Sequence, residues 1–94
     1  MKLLFIFLTA LFSQANAQYA EGNYADAITQ YEQIILEQPA AEVYYNLGNA
    51  YYRTGNVAQS ILAYERALRL NPANEDARSN LEFVNSRIVD KKGE

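Results

Sequence analysis

The chain has no cysteine, no histidine and no tryptophan. Without cysteine there is no disulfide framework and no thiol nucleophile. Without histidine the commonest general base and a common metal ligand are gone. Only two prolines and four glycines interrupt it. The glycines are isolated, so no glycine-rich phosphate loop is present. Basic residues are also few: eight Lys and Arg stand against eleven Asp and Glu, for a net charge of −3. No basic run exceeds Lys91-Lys92, which argues against a nucleic-acid partner. Catalysis, cofactors, metals and small-molecule substrates are therefore not expected, and no residue is assigned to them. Acidic residues such as Glu75-Asp76 in a helix's first turn are ordinary dipole partners.

What the chain does have is apolar and aromatic surface. Half of it is apolar, with eight tyrosines and four phenylalanines, and 94 residues suit one domain. Tyr44, Leu47 and Tyr51 recur at three and four residues and share one helical face. Ile61, Tyr64, Ala67 and Leu68 repeat the pattern on the next segment. Between them lies Thr54-Gly55-Asn56. Gly55 can take positive φ and close the first helix. Asn56 is expected to cap the second, with Gln59 completing a capping box. Pro72 stops that helix. Gly48 marks a close helix approach. The core of the first helix is expected at Tyr44, Leu47, Gly48 and Tyr51.

The same arrangement recurs 33 residues upstream. Gly22-Asn23 matches Gly55-Asn56, Ala27 matches Ser60, Tyr31 matches Tyr64 and Pro39 matches Pro72. Asn23 with Asp26 again reads as a cap. Downstream, Arg78, Leu81 and Glu82 fall where Tyr44, Leu47 and Gly48 stood. Glu82 removes the glycine, so that segment reads as a terminal capping helix with Glu75, Asp76, Glu82, Arg87 and Asp90 on its outer face.

Tyr44-x2-Leu47-Gly48-x2-Tyr51, followed by Ser60-x3-Tyr64-x2-Ala67-x4-Pro72, resembles the tetratricopeptide repeat. Tyr stands there for the family's Trp, Ser60 for its Ala and Tyr64 for its Phe. The resemblance implies an all-α fold: antiparallel helix hairpins in a short array, closed by a C-terminal capping helix. It also implies a concave surface that binds a protein or peptide. The expected units are a signal peptide at 1–17, a partial first repeat at 18–40, a second repeat at 41–73, the capping helix at 74–90 and a tail at 91–94.

The N-terminus supports two readings. One basic residue, an apolar run over 3–12 and Ala15-Asn16-Ala17 describe a signal peptide cleaved after Ala17. The run is too short to span a membrane, which takes about 20 residues, and it lacks the basic face of a membrane-surface helix. That reading makes the protein exported, and periplasmic or envelope-associated. The repeat register claims the same segment, since Ala15, Asn16 and Tyr19 align with Gly48, Asn49 and Tyr52. Residues 11–19 would then start the first repeat.

The flanks narrow the resemblance. Phe12-x2-Ala15-Asn16-x2-Tyr19-x2-Gly22-x-Tyr24-x2-Ala27-Ile28, the run from Ala63 to Leu70, and Glu75-Asp76-x3-Asn80-Leu81-Glu82-Phe83 together resemble bacterial aerotolerance proteins of the BatE type. That resemblance implies export and partners among other envelope proteins. Members often continue into an SH3-like domain. The sequence ends at Glu94, as a short relative or a piece would.

With the core pattern set aside, Tyr45, Asn49 and Tyr52 share an adjacent face, flanked by Asn46 and Arg53. These five are the candidate partner-binding residues, because tyrosine and arginine anchor interfaces most often. Packing of the tyrosines on the next helix is the plainer reading. Some relatives grip a C-terminal carboxylate. Here Phe12, Asn16, Asn46, Asp76 and Asn80 hold those positions, and every cation is missing. A second function class is self-assembly, a homo-oligomer pairing through the open end of the array.

Overall fold

Gly22 and Gly55 carry φ of +86° and +84°, a backbone region open to glycine at little cost, and each ends a helix. The turns close alike. The Asn23 N–H donates to Gln18 O (2.8 Å) and the Gly22 N–H to Tyr19 O (3.0 Å). Asn56 and Gly55 repeat this onto Tyr51 and Tyr52. In both cases the two bonds satisfy carbonyls that a helix end leaves open.

The computed structural model describes residues 2–93, and the side chains of residues 4–88. Five helices follow in order: α1 (Lys2–Ala20), α2 (Tyr24–Glu37), α3 (Ala41–Arg53), α4 (Val57–Leu70) and α5 (Glu75–Gly93). Each packs antiparallel on the next, and α1 also touches α3. Among the described residues there is no strand. The all-α hairpin array expected from the sequence is what the chain forms. Pro39 and Pro72 lie just beyond α2 and α4.

The caps differ from expectation. Neither Asn23 nor Asn56 makes a side-chain cap, so the box with Gln59 does not form. Their ψ angles of 68° and 73° are far from the extended geometry that aims a side chain at the next turn. The amides turn back instead, Asn56 to Thr54 Oγ1 and Asn23 to Gln18 Oε1. A side-chain cap is made at Asn74, whose Oδ1 accepts from the Ala77 N–H at 3.0 Å.

Helix α3 lies between α2 and α4, and its buried stripe is Val43, Leu47, Gly48 and Ala50. Tyr44 and Tyr51 are only half-buried, which corrects the core expected for this helix. A helix packed on two neighbours turns its smaller residues into the seam, while the tyrosines reach its edges. Tyr51 there donates to Glu32. Tyr31 and Tyr64 are fully buried, over Ala27 and Ser60 at matched positions. Burying one side chain such as Leu47 contributes about 1.5–3 kcal/mol.

Helix α5 buries Ala77 and Val84 and exposes Glu75, Asp76, Glu82 and Arg87, as a cap does. The side chain of Asp90 lies outside the described residues. The helix runs to Gly93, past the boundary drawn at residue 90, because no glycine or proline intervenes to stop it. Helix α1 buries Leu8 and Ala15, with Leu11, Phe12 and Tyr19 packed beside them. Its first turns overhang: Leu4, Phe5, Ile6 and Phe7 are 47–70% exposed. No described helix is long and apolar enough to cross a membrane.

Candidate functional site

The first helix of each hairpin lines one face of the array. On that face the offset seen in the sequence becomes a repeated hydrogen-bond network. Asn16 Oδ1 accepts from Tyr31 Oη at 2.5 Å and from Asn46 Nδ2 at 3.1 Å. One repeat on, Asn49 Oδ1 accepts from Tyr64 Oη and from Asn80 Nδ2, the latter at 3.0 Å. Each set joins three helices, α1–α2–α3 and then α3–α4–α5. The Asn16 and Asn49 oxygens each accept two bonds and are fully used, while their own amide N–H groups remain for a ligand.

Two hollows adjoin along this face. Asn16, Tyr19, Tyr31, Asn46 and Asn49 line the first. Tyr19, Asn49, Tyr52, Arg53, Tyr64, Asn80, Phe83 and Val84 line the second. They share Tyr19 and Asn49, so they form one continuous groove. No carboxylate lines either part.

Of the five candidate residues, Asn46, Asn49, Tyr52 and Arg53 lie in the groove wall. Tyr45 lines neither hollow; it packs on Tyr64 with ring centroids 6.1 Å apart. Tyr52 does both, meeting Phe83 edge-on at 6.0 Å while lining the groove. Arg53 donates through Nε and Nη2 to the Tyr24 hydroxyl at 3.0 and 2.8 Å. Those bonds raise its pKa further above its ordinary value. Tyr24 is braced in turn by Tyr19, edge-on at 5.2 Å.

Burial pushes the Tyr31 and Tyr64 hydroxyls up to about 12. They remain donors throughout the neutral range, so the network keeps one polarity. Tyr19, Phe83 and Val84 were missed as groove residues. Phe83 had a signal, being a large apolar residue on a mostly polar helix. The recurrence of Asn16 at Asn49 and of Asn46 at Asn80 was the signal for the network.

Among the described residues no group of His, Cys, Asp or Glu could hold a metal ion. A family model described as tetratricopeptide repeat matches residues 12–75. The match takes in the packed half of α1. A search of curated proteins found no match.

Proposed function

This chain belongs to the tetratricopeptide repeat family, and we propose that it is a non-catalytic scaffold holding an extended segment of a protein partner along the groove. Repeats of this family generally mediate protein–protein interaction. The observation that carries the reading is the pair of networks on Asn16 and Asn49. They present amide groups at repeat intervals along a concave face, and a peptide backbone offers matching donors and acceptors at regular spacing. Asn46, Asn49, Tyr52 and Arg53 make the main contacts, with Tyr45 backing Tyr64. The test is a partner titration against Tyr52→Ala, Asn49→Ala and Tyr45→Ala, with folding checked by circular dichroism. Tyr52→Ala should cost about 2 kcal/mol or more. Unchanged binding by the folded Tyr52 and Asn49 variants would move the site elsewhere.

The likeness to the exported aerotolerance proteins supports a place in the cell envelope, with envelope proteins as partners. The burial of Ala15 and the bonds to Asn16 support retention of α1 in the working protein. Intact-mass measurement of the native product should find residues 1–17 present; a chain starting at Gln18 would overturn this part.

Self-assembly is the second reading. Leu4, Phe5, Ile6 and Phe7, exposed at the open end, favour it. Sedimentation of the full chain and of Phe7→Glu separates it from the groove reading.

A further inference from the structure

One cation and no anion line the groove, with Arg87 at its rim against Phe83. Arg53 is the sole Lys or Arg among the residues lining its two parts, and no Asp or Glu lines either. The guanidinium is not free to wander. Two of its N–H groups are spent on the Tyr24 hydroxyl. Its side chain also lies over the Tyr24 ring, with Cζ 5.3 Å from the centroid. A guanidinium has five N–H donors in a planar fork. Three are therefore left, held in place before any ligand arrives. Pre-ordering reduces the entropy lost on binding.

Beside this cation lies an apolar shelf. Tyr52 and Phe83 meet edge-on at the same end of the groove, and Phe83 is 51% exposed. Arg87 lies across Phe83 with Cζ 5.4 Å from its ring, which steadies the shelf. A half-exposed phenylalanine braced on two sides offers area to a partner at little ordering cost.

We propose that the groove selects a peptide segment in which an Asp or Glu side chain pairs with Arg53 while a neighbouring aromatic or aliphatic side chain rests on Tyr52 and Phe83. This rests on the groove reading above and adds the chemistry of its partner. Charge complementarity points to a carboxylate: no Asp or Glu lines the groove, and the free N–H groups of the Arg53 fork match the two oxygens of a carboxylate. Arg53, Tyr52 and Phe83 all line the second hollow, so the acid and its apolar neighbour lie close together in the bound segment. The carboxylate belongs to a side chain and not to a chain end, because the cations that grip a chain end are missing at Phe12, Asp76 and Asn80.

The experiment pans a library of random linear peptides, displayed on phage, against the immobilised full chain. The most enriched sequence is then made and titrated. Enriched peptides should carry Asp or Glu beside an aromatic or aliphatic residue. Arg53→Gln should weaken binding roughly tenfold, and Arg53→Lys should restore part of the loss. Changing the peptide's acid to its amide should weaken the wild type equally and Arg53→Gln no further. Amidating the peptide's C-terminus should change nothing.

Enrichment without an acid, additive losses, or dependence on a free C-terminus would overturn the proposal while leaving the groove intact. If instead Tyr52→Ala and Asn49→Ala bind the selected peptide as wild type does, or no peptide is enriched, the groove reading itself fails.

Discussion

A Cβ atom placed on Gly48 would stand 2.6 Å from Cε1 and 2.7 Å from Cδ1 of Tyr64. The ring cannot swing away, because it is buried and its hydroxyl is tied to Asn49. The close approach of α3 and α4 has a second fastener, since Ser60 Oγ donates to Gly48 O at 2.8 Å. The first hairpin has Ala15 and Ala27 at the matching positions, with no hydroxyl to draw the helices together.

Gly48→Leu should therefore destabilise at the upper end of the about 1–3 kcal/mol typical of overpacking. Gly48→Ala should cost less, since alanine's better helix propensity offsets about 1 kcal/mol. Glu82→Leu, on the exposed face of α5, should stay within about 0.5 kcal/mol. Thermal melts of the three variants check this. Equal tolerance of leucine at 48 and 82 would mean that α4 does not pack on α3 as described.

Asn49→Ala leaves the Tyr64 hydroxyl and the Asn80 amide without their shared acceptor. The expected loss is about 1–3 kcal/mol. Combining it with Tyr64→Phe should cost less than the two separate losses, because both changes remove the same bond. A denaturant-unfolding cycle measures the coupling, and strict additivity would count against the network.

The repeat register made the fold legible. Two glycines 33 residues apart, two prolines at the same offset and paired tyrosines place the turns between helices within a few residues, though α1 starts at Lys2, well before the residue 11 that the register suggests. The groove was partly legible, because Asn46, Asn49, Tyr52 and Arg53 share a face that the core pattern does not claim. Two features stayed hidden. Spacing places the Tyr44 and Tyr51 face of α3 but not its rotation, which depends on α2 and α4 pressing from both sides. The caps at Asn23 and Asn56 looked sound by residue type, yet glycine closes each turn so tightly that the asparagine side chain points backwards.

Three tyrosines should ionise late. Burial raises Tyr31, Tyr64 and Tyr51 to about 12, and at Tyr51 the bond to Glu32 and its negative charge add to the effect. A folded-state pKa above the unfolded value of about 10 means these groups favour the fold fully below pH 10. Their contribution then fades as pH rises toward 12. A phenolate absorbance titration run beside thermal melts should show a lagging group of tyrosines and a melting temperature that falls across that window. All tyrosines ionising together near pH 10 would contradict it.

Removing residues 1–17 should weaken the chain severely. The cut takes Leu8, Phe12 and Ala15 from the core, and Asn16 from beneath Tyr31 and Asn46. The family model matches from residue 12, so it counts the last six residues of that segment as repeat. Circular dichroism of a chain starting at Gln18 should show a lower and broader melt. A melt matching that of the full chain would show that α1 is dispensable.

The asparagine pairs also give the array a step height. Asn46 reaches back to Asn16, and Asn80 reaches back to Asn49 by the same gesture. A second copy of residues 41–73 spliced in after residue 73 would offer its own asparagine to Asn49 and receive Asn80 in turn. The molecule is thus a staircase of one full tread, already cut to accept another, and its groove can lengthen without any joint being redesigned.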